Sequence, residues 1–431
     1  MRGPGDGPSF AGMWRGAYAC PVLDQVYLDH AATTPTRPEV IAAIAEQLAV
    51  GGNASSLHTA GRAARRVVEE SREAIAAALG CGPSEVIFTS GGTESDNLAI
   101  KGTWWHRHGE DEQRRRLIVG ATEHHAVLDA VEHLVNHEGA TVDWIDVDPL
   151  GRSDPAQVRS LIEQDPDSVA LVSLMWANNE VGTVQPVAEI ASVAREHGIP
   201  MHTDAVQAIG QVPVDFAASG ADLLTASAHK FGGPQGCGVL LARRDAALTP
   251  LTHGGGQERQ LRSGTLDAAG IRGMALAATV AIGSLEEEQE KLSALRDKLI
   301  RGALDLGLDI EVTGAHQVGD VTTRLPGNAH LRVPGCDGDS LLYLLDAAGI
   351  ECSTGSACQA GVPQPSHVLL AMGISEDDAR GALRLTLGHT STDADVAAFL
   401  DALPAAVERA RRARSASRSS GSRGAAARSG R

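Results

Sequence analysis

The sequence predicts an α/β fold: a mostly parallel large-domain sheet covered by helices, joined to a smaller α/β domain. Three observations predict it. Between residues 86 and 242, seven short apolar runs alternate with helical segments, the pattern of strands buried on both faces. A largely helical stretch at 266–306 is followed by a second set of strand and helix signals over 329–387. At 431 residues the chain is long enough for two cores.

The elements follow in order. Residues 1–25 are rich in Gly and Pro and lack the apolar run of a secretory signal, so a flexible N-terminal extension is expected. Residues 26–36, VYLDHAATTPT, read as a short strand and a turn, after which Pro38 opens a helix with apolar Val40, Ile41, Ile44 and Leu48. The small polar loop at 51–61 suits a functional loop and a plain connection equally. Residues 62–79 form an amphipathic helix stopped by Gly80. Strands are expected at 86–88, 117–119, 142–145, 169–174, 199–202, 222–225 and 239–241, and helices at 93–102, 125–137, 155–164 and 186–197. Beyond 306 come a strand at 329–333, a helix at 339–349, a strand at 350–352 and the alternation Leu383, Leu385, Leu387. The expected division is a large domain at 37–270, a small domain built from 26–36 and 271–408, and a disordered basic tail at 409–431, which carries eight arginines and no acid.

Composition narrows the function. The formal charge of −17 argues against broad nucleic-acid binding. No stretch of about 18 apolar residues suggests a membrane span. Six cysteines without a CxxC pair argue against a zinc ribbon or a secreted disulfide framework, so a reducing cytoplasm and no metal site are expected.

In such sheets ligands bind beyond the carboxyl ends of the strands. Residues 89–97, TSGGTESDN, turn into a helix whose free N–H groups suit a phosphate, with neither GxxxxGK nor GxGxxG spacing. Other strand ends carry His124 and His125, then Asn178, Asn179 and Glu180, then Asp204 and Gln207. The last leads through Ser227 and His229 to Lys230 and a glycine-rich turn. A lysine at the end of a buried strand is placed to lose charge and form a Schiff base with an aldehyde. Each residue has an ordinary reading when taken singly: Asp204 as a helix cap, His124 as a core histidine, Lys230 as a solvent-facing strand end. Jointly they are the parts a pyridoxal 5′-phosphate (PLP) site needs, with Asp204 on the pyridine nitrogen, Lys230 on the aldehyde, Thr93, Ser227 and His229 on the phosphate, and His124 stacked on the ring.

The chain resembles the cysteine desulfurases of the class V aminotransferase fold, in the branch with a long active-site loop. The resemblance runs from YLDHAATTP at 27–35 through TSGGTESDNLAIKG, TEHHAV, NNEVG, DAVQA, SAHKFGGPQG, GGGQERQLRSGT, STGSAC and LRLTLG at 383–388. It implies the type I fold of PLP-dependent enzymes and conversion of L-cysteine to L-alanine. The sulfur would leave as a persulfide for an iron–sulfur scaffold or a tRNA-thiolating enzyme. It also implies a homodimer. Residue by residue, it makes Cys358 the nucleophile, Lys230 the cofactor lysine and His124 a stacking and proton-transfer residue. Asn179 and Gln207 would support ring hydroxyl and substrate, Arg384 would clamp the substrate carboxylate, and Asn53 would lie in the substrate loop. Gly92 and Thr93 would face the phosphate with Ser227 and His229, joined by Thr265 from the second subunit. Two positions depart from the pattern: Ala54 follows Asn53 where proline is commoner, and His389 stands where many relatives have arginine.

Cys358 makes sense independently, since the small residues of STGSACQAGVPQPS leave it free to visit a substrate and swing away. Free cysteines are more often small buried residues, the reading given to Cys352. An aminotransferase or selenocysteine lyase on the same fold, and a scaffold that has lost its chemistry, are the competing readings.

Overall fold

The computed structural model describes residues 25–355 and 365–428. Expectations for the N-terminal extension through residue 24, and for Cys358, therefore lie outside the described residues. A seven-stranded sheet forms the larger core. Its strands lie in the order Val86–Thr89, Gly238–Ala242, Leu223–Ser227, Met201–Asp204, Val169–Ser173, Arg116–Gly120, Thr141–Ile145. Gly238–Ala242 runs antiparallel to both neighbours and the remaining pairings are parallel. Five of the strands are buried at every residue, as strands sandwiched between helices must be.

Local chemistry sets the helix ends. Helix Thr59–Leu79 stops at Gly80, whose φ of +68° is left-handed and whose N–H caps Ala76 O. Helix Pro155–Gln164 starts at Asp154, which accepts from Ala156 N. Helix Pro38–Val50 forms where Pro38 predicts it but packs on a different face, burying Val40, Ala43 and Gln47 while Ile41 and Leu48 are exposed in the single chain.

Two further sheets complete the fold. Asn328–Arg332 pairs antiparallel with Ala382–Thr386 and Glu311–Val312, and Val26–Tyr27 pairs parallel with Ile350–Glu351. Leu28, Leu292, Leu299, Leu331, Leu385 and Phe399 form their core. The expected domain start at 271 falls inside helix Ala268–Gly283, whose Ile271, Met274 and Ala278 pack into the large-sheet core. After Leu28, the second core resumes with helix Leu285–Asp305.

The basic tail also differs from expectation. Helix Asp393–Arg428 carries the chain past residue 409. Ala410 is buried, Arg411 bonds Pro334 O and Leu308 O, and Arg414 bonds Cys336 O and pairs with Asp377. Arg411 and Arg414 thus find carbonyls and an acid on the domain surface. Among the described residues no single helix is long and apolar enough to cross a membrane, and no group of His, Cys, Asp and Glu is arranged to hold a metal.

Candidate active site

At the carboxyl ends of the central strands lies a cavity of about 220 Å³. Gly92, Thr93, His124, Asn179, Asp204, Gln207, Ser227, His229 and Lys230 all line it. Residues from 92 to 230 meet there because each follows a strand that ends at the same edge.

Asp204 is the last residue of its strand and is buried, with Oδ1 accepting from Val206 N at 2.8 Å. Burial and the nearby Asp96 carboxyl push its pKa up to about 7. Lys230 sits in the short turn after Leu223–Ser227 and donates to Ala31 O at 2.6 Å and Ala32 O at 2.8 Å. Burial and then the Arg384 charge lower its pKa to about 8, bringing the free amine within reach near neutral pH. Gln207 Nε2 donates to the same Ala31 carbonyl at 2.9 Å.

His124 caps helix His125–Glu138, its Nδ1 accepting from Ala126 N at 3.1 Å, which leaves a proton for Nε2. Burial and then Lys230 lower its pKa to about 4, so the ring is neutral. His229 Nδ1 lies 3.1 Å from Thr33 Oγ1. Helix Gly92–Glu110 points its N-terminus into the cavity. A Cβ on Gly92 would stand 3.1 Å from Val206 Cγ2, so only a bare backbone turns there without moving the wall.

These residues fit PLP. A buried carboxylate faces the cavity at one point, a helix N-terminus with Thr93 and Ser227 offers donors at another, and a lysine with depressed basicity stands beside them.

Arg384 does not line the cavity, but its charge is felt at Lys230. It is buried in strand Ala382–Thr386, with Nη2 on Asp29 Oδ1 at 2.8 Å and Nη1 on Asn179 O at 3.1 Å, while Nε has no partner. Asn53 is exposed, its Oδ1 accepting from Ser55 N, and Thr265 is exposed; neither lines the cavity. His389 lies beside His30 and Arg37.

The residues flanking Cys358 are anchored close by. Gly355 packs against Glu180, and Ser366 donates to Glu180 Oε2 at 2.5 Å. Ser353 bridges the backbone of Arg384. Cys352 is buried and its thiol is pushed up to about 12, in keeping with a structural role.

Sequence reasoning missed Asp29, Asp96, Met175, Ala177 and the Ala31 and Ala32 carbonyls. Asp96 sat inside TSGGTESDN, and Asp29, Ala31 and Ala32 inside YLDHAATTP, motifs already singled out.

Comparison with known proteins agrees with this geometry. The family model for aminotransferase class-V matches residues 26–399. An IscS-like cysteine desulfurase of Mycobacterium tuberculosis is 58% identical over 387 residues, covering 90% of this chain and 97% of that protein. The cysteine desulfurase IscS of Methanosarcina thermophila is 42% identical over 387 residues, covering 90% and 93%. Among solved structures, a NifS-like protein superposes with a TM-score of 0.80 at 34% identity, covering 88% of this chain and 98% of its own. With its lysine, carboxylate and phosphate cradle in one cavity, the chain belongs to the aminotransferase class-V family, among its PLP-dependent cysteine desulfurases.

Proposed function

We propose that this protein takes sulfur from L-cysteine, releasing L-alanine and leaving a persulfide on Cys358. The observation that carries this reading is the meeting of Lys230, Asp204 and His124 in one cavity, with Glu180, next in sequence to the cavity-lining Asn179, anchoring both flanks of the segment containing Cys358.

PLP, when bound, supplies an electron sink that labilises bonds at the substrate's α-carbon. The chain does the rest. Asp204 keeps a negative charge where the pyridine nitrogen would be held, and Thr93, Ser227 and the helix start hold the phosphate. Arg384 and Asn179 orient the substrate carboxylate. Lys230, uncharged above about pH 8, accepts the α-proton, and the His124 Nε2–H faces the reacting atoms. Cys358 as thiolate attacks the substrate sulfur: the carbon–sulfur bond breaks, a sulfur–sulfur bond forms, and the electron pair left on carbon takes up a proton to give alanine. No external oxidant or reductant enters.

Asn53 belongs to the substrate approach. Thr265, exposed and outside the cavity of its own chain, serves the phosphate site of a second copy in a homodimer. The persulfide passes to a cytoplasmic acceptor, an iron–sulfur scaffold or a tRNA-thiolating enzyme.

The test is to incubate the holoenzyme with L-cysteine, alkylate it, and map the modified peptide while alanine is quantified. Extra sulfur on Cys358 with matching alanine is the expected outcome. Alanine at the wild-type rate from Cys358→Ala would overturn the role of Cys358 and favour the lyase alternative, whereas a 2-oxo acid in place of alanine would restore the aminotransferase alternative.

A further inference from the structure

The floor of the cavity holds one more carboxyl than a PLP site needs. Asp96, in helix Gly92–Glu110, lines the same cavity as Asp204 and is 1% exposed. Its Oδ1 has no hydrogen-bond partner and lies 3.5 Å from His202 Nε2. The Thr225 hydroxyl bonds to the Asp96 carboxyl and also lies 3.1 Å from His202 Nε2. His202 Nδ1 lies 2.9 Å from Ser173 Oγ. A continuous polar chain therefore runs from Asp96 through Thr225 and His202 to Ser173, spanning the covering helix and three adjacent strands.

Its placement relative to Asp204 is specific. His202 and Asp204 are two residues apart on one strand and so share a face. Thr225 is the sheet partner of Asp204. Every group tying His202 and Thr225 to their neighbours thus also fixes the backbone that presents Asp204.

The charges around Asp96 are those of Asp204 and His202 from the sheet, Glu123 from the loop before helix His125–Glu138, and Lys230 through Asp204. A fully buried Asp96–His202 ion pair would have to meet the desolvation of both partners with one contact at 3.5 Å. Burial instead pushes Asp96 up to about 7 and His202 down to about 4, the directions of two uncharged groups.

We propose that Asp96 and His202 are positioning residues of the cofactor site, an uncharged acid and an uncharged imidazole bridged by Thr225. They hold Asp204 in register, where the cofactor's pyridine nitrogen would draw the floor's one negative charge to it. The inference rests on the PLP reading, and a yellow holoenzyme establishes that reading before any variant is made.

The test compares wild type with Asp96→Asn and Asp96→Leu as holoenzymes, reading the pH titration of the cofactor's visible absorbance and the rate of cofactor release into buffer. Asparagine replaces a neutral acid with a neutral amide, so both readouts stay at wild-type values. Leucine breaks the chain at its first link, so release accelerates about tenfold and the titration midpoint moves. If Asp96→Leu does not accumulate, Thr225→Val interrupts the same chain without altering a charge and carries the same expectation. A midpoint displaced by about one pH unit or more in Asp96→Asn would mean that Asp96 carries charge. Release from the leucine or valine variant at the wild-type rate would mean that the chain positions nothing. Either result overturns the proposal.

Discussion

Replacing Arg384 with lysine isolates what the guanidinium fork does. Of its donors, Nη2 is committed to Asp29 at 2.8 Å and Nη1 to Asn179 O at 3.1 Å, and the buried Nε is the one left without a partner. A substrate carboxylate held by Arg384 would use the donors that these contacts leave over. Lysine keeps the charge, but a single ammonium cannot span Asp29, the Asn179 carbonyl and a carboxylate together. The loss of one charge-assisted hydrogen bond is about 1.5–3 kcal/mol, or roughly 10- to 100-fold in affinity at about 1.4 kcal/mol per decade. The carboxylate takes no part in bond breaking, so the contact exists equally in ground and transition states and its loss falls on KM more than on kcat. The assay is steady-state alanine formation against L-cysteine, with thermal unfolding confirming the fold. Asp29→Asn is the control: it keeps the fork and removes only its competitor, so KM stays within about threefold of wild type. A wild-type KM in Arg384→Lys would refute the assignment of Arg384 to the substrate carboxylate.

Other consequences can be measured alongside. With Lys230 lowered to about 8, the cofactor-free protein should capture PLP about tenfold faster per pH unit below that value and level off above it, as stopped-flow absorbance will show. Glu258 is buried, accepts both Arg72 terminal nitrogens at 2.7 and 2.8 Å and takes the Phe88 N–H at 2.9 Å. Glu258→Ala therefore leaves the Arg72 charge with only the exposed Glu69 and the Val86 carbonyl, strips the Phe88 N–H of its acceptor, and should cost about 3 kcal/mol in denaturant unfolding. A Cβ on Gly388 would collide with the His30 ring, so Gly388→Ala should destabilise by about 1–3 kcal/mol. Asp96 has a native pKa of about 7 against an ordinary 3.8. The folded protein thus binds more protons than the unfolded chain between those values, and Asp96 contributes a loss of stability as pH rises through that window. In cofactor-free protein, Asp96→Asn should flatten the fall between about pH 4 and 7; an unchanged slope in thermal unfolding would count against a raised Asp96.

The sequence exposed those parts of the site that are local in the chain. Lys230, Asp204, His124 and Thr93 each follow an apolar run within a few residues, and a parallel sheet brings the ends of such runs to one edge whatever the intervening lengths. What it hid was pairwise and long-range. Asp29 and Arg384 are 355 residues apart, and nothing in the spacing of either announces the other. Asp96 lay inside TSGGTESDN with no role of its own, because the motif shows a helix start, whereas which side of helix Gly92–Glu110 is buried is settled only by packing. Of the expected apolar positions Val40, Ile41, Ile44 and Leu48, the second and fourth failed for the same reason. Helix Pro38–Val50 meets helix Ala268–Gly283 through Val40, Ala43 and Ile44, a face fixed by where that later helix lies. The tail teaches the same lesson, since charge composition alone cannot see that Arg414 ends beside Asp377 and the Cys336 carbonyl. Burial also explains why the electrostatics were unreadable from residue types. Asp96, Glu123 and Asp204 come from three separate elements; once water is gone Asp96 raises the proton affinity of the other two, and Asp204 that of Glu123. A carboxyl's role here is decided by which neighbour keeps its proton, a property of the assembled floor and of no single segment.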